Sequence, residues 1–313
     1  MSQRPLDLSI IIVSWNVVDL LSACLESIYR TCTSQHTFEI IVVDSNSSDQ
    51  TVDMVRAHFP QVRLFPQTEN IGYTRGNNLG LAHAQGRHLL LLNPDTEIVG
   101  GALSLMIDYL DHHSTVGIVG PRTFNSDGSQ QSTRRRFPTF AVGLVESTWL
   151  QDWVPKSLLD RYYAADIADD ATAEVDWVQG SALMARREIY AQIGGLDEQF
   201  IMFSEELDWC KRAKGIGWQV VYLGTAQITH HGGKSTDQVT ARKHIHFQES
   251  KLRYFRKHHG AAAAHIMRFV LLANYLWQLV LETGKAAVGH KVAMRRARID
   301  AYWQVLRSGL RVS

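Results

Sequence analysis

Four short apolar runs constrain this chain more than any other feature: Leu8–Val13 (LSIIIV), Phe38–Val43 (FEIIVV), Val62–Phe65 (VRLF) and Leu89–Leu92 (LLLL). The strongest of them are unbroken rather than alternating, the pattern of strands covered on both faces in a parallel sheet. Helical spacing fills the gaps. Asp19 reads as the N-cap of a helix with apolar positions Leu21, Cys24, Leu25 and Ile28. Gln50–His58 reads as a second helix stopped by Pro60, and Leu79–Ala84 as a third. Strands alternating with helices at this spacing predict a doubly wound, mainly parallel α/β sheet with right-handed crossovers.

Polar residues then collect just past the apolar runs: Asn16 in Ser14-Trp15-Asn16, Asp44 at the head of DSNSSD, Asn70 in the loop NIGYTRGNN, and Asp95 in Asn93-Pro94-Asp95. Pro94 cannot donate to a ladder, so its strand ends there and Asp95 stands at the carboxyl tip. Open α/β sheets place ligands at that edge. A carboxylate fixed there can hold a hard divalent cation through oxygen, with a diphosphate completing the shell. Taken alone, the same residues read equally well as an Asx turn ending a core strand. Four such tips at one edge point to a nucleotide pocket. A nicotinamide dinucleotide is disfavoured, because the first turn lacks the glycines of Gly-x-Gly-x-x-Gly.

Further along, Glu174–Arg187 reads as one returning strand in which Gly180 permits a close backbone approach, and Gln219–Leu223 as a final strand. Trp149–Ala173 has little periodicity and reads as an insertion near an acceptor. Between the returning strands, Ser204 and Gly215 frame a helix of about ten residues as N-cap and C′. Its first turn holds Glu205, Glu206 and Asp208. Such acids complement the helix dipole, and Asp208 with Arg212 is an i,i+4 pair. Three carboxylates in four residues also raise one another's proton affinity, which suits a general base.

These motifs carry a resemblance. The series IIIVSWN, EIIVVDSNSSDQT, ENIGYTRGNN and LLLLNPDTEI resembles the family-2 glycosyltransferases, nearest to their rhamnosyltransferase-like branch, over about Leu8–His259. It implies the GT-A (Rossmann-like) fold, a mixed, mainly parallel sheet flanked by helices. It also implies a nucleotide-diphosphate sugar (dTDP- or UDP-linked) bound by Ser14, Asn16, Asp44, Asn46, Asn70, Gly72, Arg75, Asn78 and Asn93, with Asp44 reading the base. Asn93-Pro94-Asp95 stands where many relatives carry Asp-x-Asp, which makes Asp95 the metal ligand. The stretch from His230 to Ser235 resembles His-x-Gly-Gly-x-Ser and brings His230 to the metal or the diphosphate. Oxygen ligands suit Mg2+ or Mn2+, and an imidazole tilts the choice toward Mn2+. Glu206 occupies the second position of the family's Glu-Asp motif, the catalytic base that deprotonates the acceptor hydroxyl.

Arg135, Arg136, Trp177, Gly180, Glu205 and Asp208 are candidates for contact with the acceptor or a phosphate. Three adjacent arginines read more simply as a solvated loop, and adjacent histidines as surface residues. The expected product is a bacterial surface glycan on a lipid-linked or polysaccharide acceptor, with rhamnose the best single sugar. The alternatives are a sugar nucleotidyltransferase, disfavoured by the missing glycine-rich triphosphate loop, and a non-catalytic sugar-binding module. No nucleic-acid partner is expected.

Charge divides the chain. From Arg242 onward there are 14 Lys and Arg against 3 Asp and Glu, so the tail carries +11 and the rest −10, although the total is +1. The expected layout is a catalytic domain over 1–260 (1–120 nucleotide-binding, 121–260 acceptor and catalytic) and a basic amphipathic helical tail over 261–313. Phe269–Leu281 has thirteen residues, short of the ~20 that span a bilayer. Asn274, Gln278 and Glu282 mark a polar stripe on it. The tail reads either as a helix packed on its own domain or in a homodimer, or as one lying on an anionic cytoplasmic leaflet. The absence of Gln-x-x-Arg-Trp and of several spans disfavours a processive membrane synthase. Cys24, Cys32 and Cys210 lack paired spacing, and MSQRPLDLSI lacks the apolar core of a signal peptide, so a reducing cytoplasmic setting is expected.

Overall fold

A computed structural model of the chain describes residues 6–32, 35–232, 240–289 and 291–312. Its elements are β1 (Leu8–Ser14), α1 (Val18–Thr31), β2 (Phe38–Asp44), α2 (Thr51–His58), β3 (Arg63–Pro66), α3 (Gly72–His83), β4 (His88–Leu92), β5 (Thr96–Val99), α4 (Ala102–His112), β6 (Val116–Phe124), β7 (Gln130–Gln131) and β8 (Arg134–Arg135). There follow α5 (Phe140–Val145), a 3-10 turn (Trp149–Trp153), α6 (Lys156–Tyr162), β9 (Thr172–Val175), β10 (Trp177–Val178), β11 (Ala182–Arg186), α7 (Arg187–Ile193), α8 (Glu205–Gly215), β12 (Gln219–His230), α9 (Thr240–His259), α10 (Ala261–Ala287) and α11 (Val292–Ser308). They form two compact units. The first comprises Met1–Phe137, Tyr163–Glu198 and Glu205–Ser235; the second comprises Pro138–Tyr162, Gln199–Ser204 and Thr236–Ser313.

In the first unit the sheet runs β3-β2-β1-β4-β11-β6-β12-β5, with β7 beside β6 and β9 beside β12. The four apolar runs are its parallel half, and the core strands β1 and β4 are buried throughout. The register decides what meets at the carboxyl edge. Ser14 lies opposite Asp44, Asp44 opposite Pro66, and Leu92 opposite Ile12. Chain order reverses at β1, between β2 and β4, and such a switch point opens a crevice beyond the strand tips. Antiparallel β11 pairs Ala182 with Leu92, which carries Gly180 and Ser181 to the same edge. Antiparallel β12 pairs His230 with Thr96, beside Asp95.

Several local expectations change. α1 begins at Val18, not after Asp19, because Asp49 accepts its first N–H at 3.1 Å. α3 begins at Gly72 rather than Leu79, because Asn70 Oδ1 accepts the Gly72 N–H at 3.0 Å and turns the chain. Arg75 and Asn78 therefore ride on a helix. Gly76 and Gly80 let that helix press on β1: a Cβ on Gly80 would stand 2.3 Å from Ile11. Glu174–Arg187 is three strands instead of one, interrupted at Asp176 and at Gly180. The last strand is longer than expected, bulging between Leu223 and Gln227 before it reaches His230. β5, α4 and β6 were not anticipated.

In the second unit α10 is 27 residues long, and by length and composition alone it could cross a bilayer, unlike the thirteen-residue run read from sequence. α9, grouped with the catalytic domain by sequence, belongs with α10 and α11. Glu282 on α10 pairs with Arg295 on α11 at 2.6 Å, both buried, and Asn274 accepts the Trp149 N–H at 3.0 Å.

Candidate active site

The tips of β1 and β2 make the first part of the site. Asp44 is 1% exposed, and its Oδ2 accepts the Ser47 N–H at 3.0 Å. Its Oδ1, and the Oγ of Ser14 opposite, are buried with no hydrogen-bond partner among the described residues. Buried polar atoms left unpaired are costly, and two at neighbouring strand tips beside a crevice can take hydrogen bonds from a ligand there.

The surrounding residues build the loops. Asn16, at φ 53°, accepts the Ser48 N–H at 2.7 Å and donates its own N–H to Ser47 at 2.9 Å. Asn46 is exposed at φ 61°. Ser45 donates to Asn70 at 3.0 Å and accepts the Ile71 N–H at 2.9 Å, and Gly72 makes the turn at φ 78°. Two expected donor contacts are engaged elsewhere. Asn78 bonds the main chain of Leu196 and the carboxylate of Glu198, and exposed Arg75 lies 3.5 Å from Glu198.

The corner expected from sequence to hold a metal lies at the tip of β4. Asn93 donates its N–H to the Ser181 carbonyl, and the His231 N–H holds the Asp95 carbonyl at 2.8 Å. His230 Nε2 stands 3.2 Å from Asp95 Oδ1 and 3.3 Å from Asn93 Nδ2. Gln131, which sequence reasoning passed over, fixes the ring. Its Nε2 donates to Asn125 Oδ1 and to the His230 carbonyl, which turns its Oε1 toward His230 Nδ1 at 2.9 Å. Nδ1 then carries the hydrogen, and Nε2 presents a lone pair beside the Asp95 carboxylate. The Asn93 amide can donate to that lone pair, and a divalent cation held between Nε2 and Asp95 Oδ1 would take its place. A second ring nitrogen bonded to a fixed amide is how ligating histidines are oriented. One oxygen and one nitrogen ligand suit Mg2+ or Mn2+ if a diphosphate and water supply the rest, and no cluster of three His, Cys, Asp or Glu occurs among the described residues.

The third part is the start of α8. Glu205 is 3% exposed, and the Oε2 atoms of both Glu205 and Glu206 are enclosed without hydrogen-bond partners among the described residues. Burial, and then the charge of Glu206, pushes the Glu205 carboxyl well above the ordinary range. Burial pushes Glu206 up as well, opposed by main-chain N–H groups that include Gly180. Tyr73 is the second residue the sequence reading missed. Its hydroxyl donates to the Gly180 carbonyl at 3.1 Å. Burial and the charges of Glu205, Glu206 and Asp95 keep the phenol protonated. It thus feels the acid pair and Asp95 together. Phe203 and Ser204 enter the helix at φ 69° and 65°. Ser204 is therefore not in the extended conformation of a capping serine, and two such non-glycine residues store strain of about 1–3 kcal/mol each.

The buried acid predicts a pH-dependent stability. A carboxyl whose folded pKa is raised stabilises the fold most below the ordinary carboxylate range, and that stability is lost as pH rises through the raised pKa. Glu205→Gln should raise the thermal midpoint by a few degrees at pH 8 and leave it unchanged at pH 4. Equal shifts at both values in a thermal melt would show that desolvation is not the cause.

The remaining candidates are tied into the scaffold. Asp208 is fully buried on Arg212 at 2.8 Å, and Arg212 bonds the Ile193 and Gly195 carbonyls. The three arginines are not a free basic loop. Arg134 pairs with Asp169, Arg135 lies over the Tyr163 ring at 4.6 Å, and Arg136 grips Asp166 with both nitrogens. Trp177 is buried, its indole N–H on the Arg136 carbonyl at 3.1 Å. The thiols are unpaired, and burial pushes Cys24 and Cys210 to about 12, as expected of structural cysteines. Gly233, Lys234 and Ser235 of the glycine-rich stretch after His230 lie outside the described residues.

Comparisons with known proteins bear on the family and the fold. The model of the family described as glycosyl transferase family 2 matches residues 9–191. The N-acetylglucosaminyl-diphospho-decaprenol L-rhamnosyltransferase of Mycobacterium tuberculosis is 26% identical over 214 residues, 65% of this chain and 69% of that protein. A low-salt glycan biosynthesis hexosyltransferase of Haloferax volcanii is 28% identical over 227 residues, 71% of this chain and 65% of its own length. Among solved structures, a mannosyltransferase from Pyrobaculum calidifontis in complex with GDP-Man and Mn2+ matches with a TM-score of 0.57 at 19% identity, covering 99% of this chain and 86% of that one. The fold is that of the GT-A glycosyltransferases. The chain belongs to glycosyl transferase family 2 and is a glycosyltransferase.

Proposed function

We propose that the chain is an inverting, divalent-metal-dependent glycosyltransferase that moves a sugar, rhamnose first among candidates, from a dTDP- or UDP-linked donor to a lipid-linked or polysaccharide acceptor. The observation that carries this reading is the enclosed Glu206 Oε2, without a partner among the described residues, at the start of α8 against Gly180, whose neighbour Ser181 accepts the Asn93 N–H. Ser14 and Asp44 hold the nucleoside through their unpaired oxygens. Asp95 and His230 Nε2 hold Mg2+ or Mn2+, which when bound neutralises the diphosphate and stabilises the departing charge. Glu206 Oε2 takes the proton of the acceptor hydroxyl as its oxygen attacks the anomeric carbon from the face opposite the diphosphate. The new C–O bond forms as the bond to the diphosphate breaks, and nucleoside diphosphate leaves.

The rhamnosyltransferase relative is named for a decaprenol-diphosphate acceptor. We carry that class over as a lipid-linked acceptor for cell-surface glycan synthesis, met at the cytoplasmic face of the plasma membrane. A donor screen measuring nucleoside diphosphate release tests the reading. Release from dTDP-rhamnose or a UDP-sugar, lost with EDTA and restored by Mn2+, is the expected result. Turnover unaffected by EDTA would remove the metal from the proposal. Replacing Asp44 by Ala should weaken dTDP or UDP binding by about 5- to 150-fold, the worth of roughly 1–3 kcal/mol for a buried hydrogen bond left unmade. Unchanged calorimetric affinity would show that Asp44 does not face the base.

A further inference from the structure

The tail helix α10 carries one polar and one apolar face. Its polar stripe faces inward: Asn274 and Glu282 are buried, on the Trp149 N–H and on Arg295. The apolar residues face out. Phe269 is 75% exposed, Val280 58%, and Ile266, Leu276 and Trp277 each about half, and together they follow the repeat of one helical face. Lys285 is exposed in the last turn of α10, and Arg296 and Arg307 are exposed on α11, where Arg307 lies over the half-exposed Trp303 ring at 5.8 Å. From Arg242 to the end only three carboxylates stand among fourteen cations. Of the three, Glu282 is buried and Glu249 is paired with Arg253, so Asp300 is the one left exposed.

We infer that the outward face of α10, with the flanking cations of α10 and α11, docks the protein flat on an anionic lipid bilayer. Charge complementarity selects the occupant. An exposed apolar stripe alone fits a second copy of the chain as well, but a tail with a formal charge of +11 repels its own copy and is attracted by a negative leaflet. An aliphatic and tryptophan stripe rimmed by Lys and Arg is the composition of an interfacial helix. The helix lies on the membrane rather than across it, because its other face is occupied by α9 and α11 and holds the Glu282–Arg295 pair. Arg295, one of the fourteen cations of the tail, is therefore internal.

This inference does not depend on which sugar is moved, and its test leaves catalysis alone. Full-length protein is floated with phosphatidylcholine vesicles with and without phosphatidylglycerol, at low and at high salt. Flotation is expected only with phosphatidylglycerol, falling at least about tenfold at high salt because the Debye length contracts toward 3 Å near 1 M. The Trp277 emission should shift to the blue on binding. Phe269→Ser with Val280→Ser, and separately Lys285→Gln with Arg296→Gln and Arg307→Gln, should each cut flotation about tenfold while nucleoside diphosphate release in solution is kept. Protein that stays soluble under all conditions overturns the inference. So does a dimer that the serine pair dissolves without any flotation, which would assign the face to a second copy. Resistance to alkaline extraction would make α10 a span and overturn the flat geometry.

Discussion

Asp95→Asn is expected to abolish metal-dependent transfer by two or more orders of magnitude while leaving the thermal midpoint within a few degrees of the parent. Asp95 is 5% exposed and sits at the tip of the most buried strand, yet its main-chain contribution, the carbonyl that accepts from His231, survives the change. Asparagine keeps the volume and can accept from neighbouring donors, so the turn through Pro94 should hold. What it loses is the charge. Opposite His230 Nε2, a neutral amide presents either an N–H or a carbonyl dipole, neither of which replaces a carboxylate as ligand to a hard cation. Removing one preorganised group that stabilises developing charge costs roughly 10²–10³ in rate. The check is nucleoside diphosphate release across a Mn2+ titration, with Mn2+ binding followed by electron paramagnetic resonance in the presence of dTDP or UDP. A variant with near-parental turnover and the same Mn2+ dependence would reduce Asp95 to a turn residue.

The half of the fold that was legible in sequence is the half in which one signal is repeated. β1, β2 and β4 are covered on both faces, so nearly every position is apolar and the runs announce themselves. Their polar tips were equally plain, because Asp44, Asn93 and Asp95 interrupt those runs abruptly. The illegible part depends on antiparallel strands that return from far away. Gly180 and His230 reach the site through β11 and β12, and no local pattern states that Ala182 will pair with Leu92 or His230 with Thr96.

Tyr73 and Gln131 were missed for the same reason. A tyrosine early in a helix and a glutamine in a two-residue strand become informative only once Gly180 and His230 stand beside them. Two expectations failed on competing chemistry. Asp49 reaches across 31 residues to cap α1, displacing Asp19, and the backbone at Ser204 is held in the left-handed region despite a residue suited to capping. The tail shows a different limit. Periodicity identified the two faces of α10 correctly, but burying the polar one required a cation on α11 that sequence spacing did not link to Glu282.

Glu206→Gln is the second large effect, and it separates the proton from everything else in the site. Glutamine keeps the length of the side chain and its hydrogen-bonding capacity near Gly180, so donor affinity should change little. It cannot take a proton from an acceptor hydroxyl, so transfer should fall by roughly 10²–10⁴-fold, the usual worth of a general base. The sign of the pH dependence follows from burial. Glu206 is raised above the ordinary carboxylate value, so its basic form is lost on acidification sooner than that of a solvated glutamate. The acidic limb of kcat/KM should therefore lie above the range of about 4–4.5 seen for a free glutamate. Glu205 lies against it and the two titrate as a pair, so the limb belongs to the pair until one member is removed. Glu205→Gln removes that neighbour. It should keep the plateau at high pH, whereas Glu206→Gln should lower the plateau itself. The opposite pattern, a silent Glu206→Gln beside an inactive Glu205→Gln, would transfer the role to Glu205.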